Sequence, residues 1–286
     1  MRDKRSRQTT NIVRRSAEVT ADPDKKVMLV VSFGTSYLHN QEVTIGAIEE
    51  SLAHEFEDFD IRRAFTSQMI INKLKRVNNM LVDNVEQAMD HVLEEGYGTV
   101  VVQPTHIMNG LEYDDMLDAL RPYREHFPAF AVGAPLLTET DDFAELVKSL
   151  IAEIPEIKEP GGAVVFMGHG SSHFANSVYA ALDYKMSDMG YQNAVVGTVE
   201  EYPDLAAVKR RLADCEARKV YLYPLMIVAG DHVHNDMAGE HEDSWQTLLE
   251  EAGYEVVSVL RGMGEYQGIR QMFVDHARLA VDTLDS

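Results

Sequence analysis

The chain has 286 residues but a single cysteine, a single tryptophan and few basic residues for its acids. Cys215 alone excludes an intrachain disulfide and any Cys-rich zinc or iron–sulfur centre. It lies in a helical context, "RLADCEARK", and is given no role; a reducing cytoplasm is the expected compartment. No window approaches an unbroken apolar run of about 18 residues, so no membrane span is expected. The N-terminus, "MRDKRSRQTTNIVRRSAEVT", lacks the apolar middle of a secretory signal, and residues 1–24 read as a basic flexible tail. Lys and Arg total 26 against 47 Asp and Glu, a net charge of -21. Six of those cations and one acid fall in residues 1–15, which leaves 20 basic against 46 acidic residues, or -26, for the rest. Such a surface repels phosphates, so nucleic acid is excluded as an expected partner. Phosphate-loop signatures are missing too. "SFGTS" (32–36) is neither a G-x-x-x-x-G-K-[ST] loop nor G-x-G-x-x-G, and "GHGSSH" (168–173) is not the G-x-S-x-G elbow of hydrolases.

What is present is an apolar fraction of 45%, enough for a full core. "KVMLVVSF" (26–33), "TVVVQP" (99–104), "GAVVFMG" (162–168) and "KVYLYPLMIV" (219–228) lack polar alternation, as strands covered on both faces do. Weaker strands are expected at 60–65, 129–132, 194–199 and 255–260. Between them Ile45, Ile48, Leu52 and Phe56 recur at helical spacing, as do Val85, Met89, Val92 and Leu93, and Phe143, Leu146, Val147, Leu150 and Ile151. Strands alternating with helices predict an α/β fold with parallel sheets.

The order of pieces repeats. "VVSFGTSY" (30–37) matches "VFMGHGSSH" (165–173) at an offset of 136, which sets Gly34 on Gly170. "VVVQPTHIMNGLEYDDM" (100–116) matches "VYLYPLMIVAGDHVHNDM" (220–237) at an offset of 120, which sets Pro104 on Pro224 and Glu112 on His232. Two similar halves follow, 25–160 and 161–286, each a mostly parallel sheet with helices on both faces. In open parallel sheets ligands bind outside the carboxyl ends of the strands. Phe33, Gly34, Glu112, His169 and His232 all fall in such loops.

Two histidines and a glutamate there form a candidate site for a divalent metal, since imidazole and carboxylate suit Co²⁺, Ni²⁺, Fe²⁺ and Zn²⁺. "AGDHVHNDM" (229–237) adds His234, which joins His232 as a ligand only if the segment is extended. His169 also reads as a polar residue in a turn capped by Ser171 or Ser172, and Glu112 as an ordinary acidic first helical turn. His106 reads as a satisfied structural histidine, and His173 and His234 as outer or solvent-facing groups. The small hydroxyl-rich loop of Ser32, Gly34, Thr35 and Ser36 offers backbone N–H groups to an anion.

"LVVSFGTSY", "RAFTSQMIINKL", "HIMNGLEYDDM", "VVFMGHGSSH", "EEYPDL", "MIVAGDHVHNDMAGE" and "DSW", in this order across about residues 26–280, closely resemble the anaerobic sirohydrochlorin cobaltochelatases, a family of class II tetrapyrrole chelatases. The resemblance implies two similar α/β domains around a cleft, and insertion of Co²⁺ into sirohydrochlorin on the early-cobalt route to cobalamin. It places the family's metal-binding, catalytic histidines on His169 and His232 and its metal-binding glutamate on Glu112. Glu112 is also a candidate acceptor of a pyrrole proton. The tetrapyrrole carries many carboxylates, and Ser32, Gly34, Thr35, Ser36, Ser171 and Ser172 are the expected substrate-binding donors, with Arg62, Arg63 or Lys73 as further cations. Fe²⁺ or Ni²⁺ insertion, a non-catalytic metal or tetrapyrrole carrier, and a zinc hydrolase built on Asp231 and His232 stand as alternatives. A homo-oligomer is compatible with this reading.

Overall fold

A computed structural model describes residues 21–285. Among the described residues eight strands form two four-stranded sheets, parallel throughout. The first holds β1 (Asp22–Ser32), β2 (Phe59–Phe65), β3 (Tyr97–Pro104) and β4 (Ala129–Val132) in the order β2-β1-β3-β4. The second holds β5 (Gly162–Gly168), β6 (Ala194–Thr198), β7 (Lys219–Pro224) and β8 (Glu255–Ser258) in the order β6-β5-β7-β8. The two orders are the same permutation, which is the internal repeat in spatial form.

The helices follow in chain order: α1 (Ala47–Glu55), entered through the turns Leu38–Gln41 and Glu42–Gly46, then α2 (Gln68–Asn78), α3 (Val85–Glu94), α4 (Leu111–Leu120) and α5 (Thr140–Glu153) in the first half. The second half adds α6 (Ser177–Asp188), α7 (Leu205–Asp214), α8 (Trp245–Glu250) and α9 (Gln267–Asp282). Their ends carry local signals. Asn84 and Gln87 form a capping box on α3, and Ser67, Asp204 and Ser244 cap α2, α7 and α8.

The two faces of each sheet pack into different cores, as period-two alternation requires. On β1, Val27, Leu29 and Val31 join one cluster with α3 and α4, whereas Met28 and Val30 join another. On β5, Ala163, Val165 and Met167 face α7 and α8, whereas Val164 and Phe166 join the cluster that holds Met28 and Val30. The inner faces of both sheets therefore share one continuous core, filled by α1, α5, α6 and α9. That shared core fixes the halves against each other and sets the carboxyl ends of their strands around one cleft.

Three boundaries differ from the sequence reading. Residues 22–24 belong to β1 rather than to a tail, because Asp22 pairs with Tyr97 on β3 and its N–H donates to the Gly96 carbonyl; residues 1–20 of the expected tail lie outside the described residues. β7 ends at Pro224 rather than at residue 228, since the ring nitrogen of proline cannot extend the ladder. The segment after it bonds instead to the 262–264 turn, through Met263 N–H to Met226 O and Gly264 N–H to Ile227 O. Finally, α9 lies at the end of the second half in sequence but packs on α1, α5, β3 and β4 of the first. There His276, on its inner face, bonds through Nδ1 to the Ala134 carbonyl and through Nε2 to Asp142.

Gly34 and Gly170, paired by the repeat, both adopt positive φ, +97° and +88°. Each turns the chain sharply off the first strand of its half, a conformation glycine alone adopts without cost. A Cβ on Gly34 would lie 2.6 Å from the Phe65 ring. Gly34→Ala is expected to destabilise the fold by about 1–3 kcal/mol, read as a lowered urea midpoint; an unchanged midpoint would contradict the turn's role.

Candidate metal centre

The loops leaving four strands at their carboxyl ends surround a cavity of about 300 Å³. Residues 32–36 follow β1, 105–108 follow β3, 169–171 follow β5, and 226–228 with 230–232 follow β7; Met69 and Ile70 of α2, Glu112 of α4, Tyr179 of α6 and Ile45 complete the wall. Its position outside the carboxyl ends is the one parallel-sheet geometry favours.

His169 and His232 of this lining, with Glu200 from outside it, are the one set of side chains among the described residues close enough to share an ion. Ligand atoms of His169, Glu200 and His232 lie within 4.8 Å of one another. The backbone explains the meeting. Past β5 and β6 the ladder continues, Val199 N–H bonding to Gly168 O at 3.1 Å and Glu200 N–H to His169 O at 2.9 Å, so Glu200 stands beside His169. His232 comes from the turn after β7, which coils helically from residue 231 to Met237. The two imidazoles sit edge to face, centroids 4.5 Å apart and planes at 88°.

Each ring is held in one tautomer. His169 Nδ1 lies 2.7 Å from the carbonyl oxygen of Gly170, which can only accept, so Nδ1 carries the proton. His232 Nδ1 lies 2.6 Å from the Asp236 carboxylate, one helical turn on, with the same consequence. Both Nε2 atoms therefore keep their lone pairs for a cation, the outer arrangement that orients metal-binding histidines generally. Two imidazoles and one carboxylate leave coordination positions open for a second ligand.

The remaining candidates fall as follows. Glu112 lines the cavity from the first turn of α4 but is not in the set that shares an ion. Tyr179, buried in the cavity lining, has its hydroxyl pushed up to about 12 by burial, with the Glu112 charge adding to the effect. His234 lies in the helical turn and stacks on Tyr37 at 4.8 Å, outside the ion-sharing set. Tyr37 in turn donates to Asp231 across the cleft. His173, not Ser171 or Ser172, caps the next turn, its Nδ1 accepting from Ala175 N–H and its Nε2 lying 3.5 Å from Asp114 of α4. Ser32, Gly34, Thr35, Ser36 and Ser171 line the cavity, whereas Ser172 is exposed and outside its lining. Arg62 and Arg63 belong to a separate depression beside β2 and are paired with Glu95 and Glu49. Lys73 stands at the mouth, 3.8 Å from Asp231.

His106 departs from its reading as a satisfied histidine. The residue is half-buried, yet both ring nitrogens are sealed from solvent and have no hydrogen-bond partner. An orphaned buried polar group costs about 1–3 kcal/mol. Burial also penalises the charged ring and holds its pKa down to about 4. A free imidazole titrates at about 6.5, so the unfolded chain takes up this proton first as the pH falls. Stability tied to His106 is whole above about pH 6.5 and lost toward pH 4.

Glu200 and Asp236 were missed in the sequence. Glu200 follows a strand end, as His169 does, and opens the segment "EEYPDL", but one acid beside Glu201 in an acidic chain gives no contrast. Asp236 sits four residues after His232, a spacing that signals contact only once the segment is known to be helical.

Two outcomes follow. Asp236→Ala is expected to weaken Co²⁺ binding about 10- to 100-fold in a calorimetric titration; parent-like affinity would contradict the tautomer argument. His106→Leu is expected to flatten the acid-side fall in urea midpoint between about pH 6.5 and 4, and an identical fall in both proteins would remove His106 as its source.

Comparison with known proteins places this chain in a family. The family model described as Cobalt chelatase (CbiK) matches residues 26–282. A sirohydrochlorin cobaltochelatase of Salmonella typhimurium is 41% identical over 258 residues, covering 90% of this chain and 97% of that protein. The sirohydrochlorin cobaltochelatase CbiKC of Nitratidesulfovibrio vulgaris is 34% identical over 263 residues, covering 91% and 92%. Among solved structures, SirB from Bacillus subtilis with Fe3+ superposes with a TM-score of 0.63 at 14% identity, covering 91% of this chain and 97% of that one. CbiX, the terminal enzyme of sirohaem biosynthesis in denitrifying bacteria, gives 0.54 at 15% identity, covering 89% and 99%. At such identities these two speak for the fold alone. The family match and the two relatives, each spanning about nine tenths of the chain, carry the conclusion that this protein belongs to the cobalt chelatase (CbiK) family.

Proposed function

We infer that the chain is a sirohydrochlorin cobaltochelatase, a lyase-class metal chelatase that inserts Co²⁺ into sirohydrochlorin and releases two protons, on the route to cobalamin. The observation that carries this reading is the His169–Glu200–His232 set, both histidines with their Nδ1 protons committed elsewhere, at the cleft of a chain whose relatives bear that activity. Co²⁺ and the tetrapyrrole are both substrates here.

In this reading the Nε2 atoms of His169 and His232 and the Glu200 carboxylate hold the incoming ion, and its remaining positions admit pyrrole nitrogens. All three ligands stand on the second half. The macrocycle lies between them and the first half, whose 32–36 and 105–108 loops supply the opposing wall. The two walls are units of residues 25–160 and 161–286, with α9 of the second braced on the first. Glu112, on the first half and outside the ligand set, takes one pyrrole proton rather than binding the ion. The donors offered to peripheral carboxylates are the backbone of the 32–36 loop and Ser171, with Lys73 at the mouth. Arg62 and Arg63 are spent elsewhere. The acidic surface suits a free small-molecule substrate in the cytoplasm rather than a nucleic acid.

An anaerobic absorbance assay with sirohydrochlorin and Co²⁺ tests the reading. The parent is expected to metallate the macrocycle faster than the protein-free reaction, and His169→Ala and His232→Ala to lose that rate while remaining folded by circular dichroism. Glu200→Gln is expected to weaken Co²⁺ binding, whereas Glu112→Gln keeps it and lowers turnover about 100-fold or more. A parent no faster than the blank would end the chelatase reading. Lost Co²⁺ affinity in Glu112→Gln with none lost in Glu200→Gln would reverse the two carboxylates.

A further inference from the structure

A macrocycle that carries several carboxylates enters a cleft short of positive charge. The cavity lining holds two carboxylates, Glu112 and Asp231, and no lysine or arginine among the described residues. Lys73 stands at its edge. It follows Ile70 and Met69, both in the lining, by one helical turn and so shares their side of α2. Its Nζ lies 3.8 Å from Asp231 Oδ2 and 5.8 Å from the centre of the Tyr37 ring. In a chain of net charge -21, α2 carries Lys73, Lys75 and Arg76 and no acid. On the chelatase reading above, we propose that Lys73 selects an anionic macrocycle by exchange: Asp231 stands in for a substrate carboxylate at Lys73 and yields its place when one arrives.

At 3.8 Å the Lys73–Asp231 contact is an ion pair but too long for a hydrogen bond, so Asp231 does not engage the ammonium's N–H donors. A substrate carboxylate can come closer and take those donors in a stronger, charge-assisted bond. The two side chains are 40% and 49% exposed, and pairs so open to water contribute little to stability, so this one opens easily. Asp231 keeps a partner when it yields. Its other oxygen, Oδ1, accepts from the Tyr37 hydroxyl at 2.9 Å, and the Tyr37 ring stacks on His234. A macrocycle without peripheral carboxylates has nothing to offer Lys73 and leaves Asp231 in place. Selection is therefore by ligand charge rather than by ring shape.

Metal-free sirohydrochlorin, titrated anaerobically against the full chain and followed by its fluorescence, tests this. Lys73→Gln is expected to raise the Kd about 5-fold or more, and Asp231→Asn, which keeps an acceptor for Tyr37, to lower it about 2- to 5-fold. In the Lys73→Gln background, Asp231→Asn is expected to leave the Kd nearly unchanged, because the two residues act on each other. Added KCl is expected to weaken binding by the parent more than by Lys73→Gln. A pair that merely stabilises the fold would make both single variants bind more weakly and unfold earlier in urea, and that result would overturn the proposal. So would an equal gain from Asp231→Asn with and without Lys73, which would reduce Asp231 to one more negative charge near the cleft. Metallation by the parent is measured alongside. A parent that neither binds nor metallates defeats the chelatase reading and the proposal with it; a parent that metallates, with either overturning pattern in the variants, defeats the exchange alone.

Discussion

An imidazole can give a cation only the lone pair of the nitrogen that carries no proton, and this constraint organises the site. In His169 the proton is fixed on Nδ1 by the carbonyl of the next residue, and in His232 by the carboxylate of Asp236. Both Nε2 atoms are thereby aimed and free. The first arrangement depends on the positive-φ turn at Gly170 that brings its carbonyl back toward the ring; the second depends on the helical coil from residue 231 onward. Extend that coil into a strand and His232 would lose Asp236, while His234 would swing to its side of the chain.

Parallel sheets supply the larger frame. They are covered on both faces, so their strands are apolar and their polar chemistry is pushed to the strand ends. Two such sheets share a core here through their inner faces, with α9 crossing back onto the first half. The carboxyl ends of β1, β3, β5 and β7 then open on one cavity. The division of labour around it is uneven: the second half carries the ion-sharing set, and the first carries a wall of small, hydroxyl and apolar groups with Glu112 and His106 set in it.

Much of this was legible in the sequence. Valine-rich runs without alternation gave the parallel strands, and the repeat gave two halves with matching strand order. Gly34 and Gly170, which the repeat aligns, both take positive φ. His169 and His232 were singled out as candidates because both follow strand ends, at positions that the repeat and the family resemblance also pick out. Glu200 was not, because acids are common in this chain and its approach to His169 is made by a backbone bond between loops. His106 was misread because apolar flanks indicate burial but not whether a buried ring finds a partner. The extent of β7 was overestimated because hydrophobicity continues to Val228, whereas pairing stops at Pro224.

The chemistry of the site turns on where the ion rests before insertion. Crystals soaked in Co²⁺ under anaerobic conditions, measured at the cobalt absorption edge, would locate it by anomalous scattering. The predicted result is one peak bound by Nε2 of His169, Nε2 of His232 and a carboxylate oxygen of Glu200. A peak held through Glu112 with Glu200 unengaged, or through either Nδ1, would contradict the account.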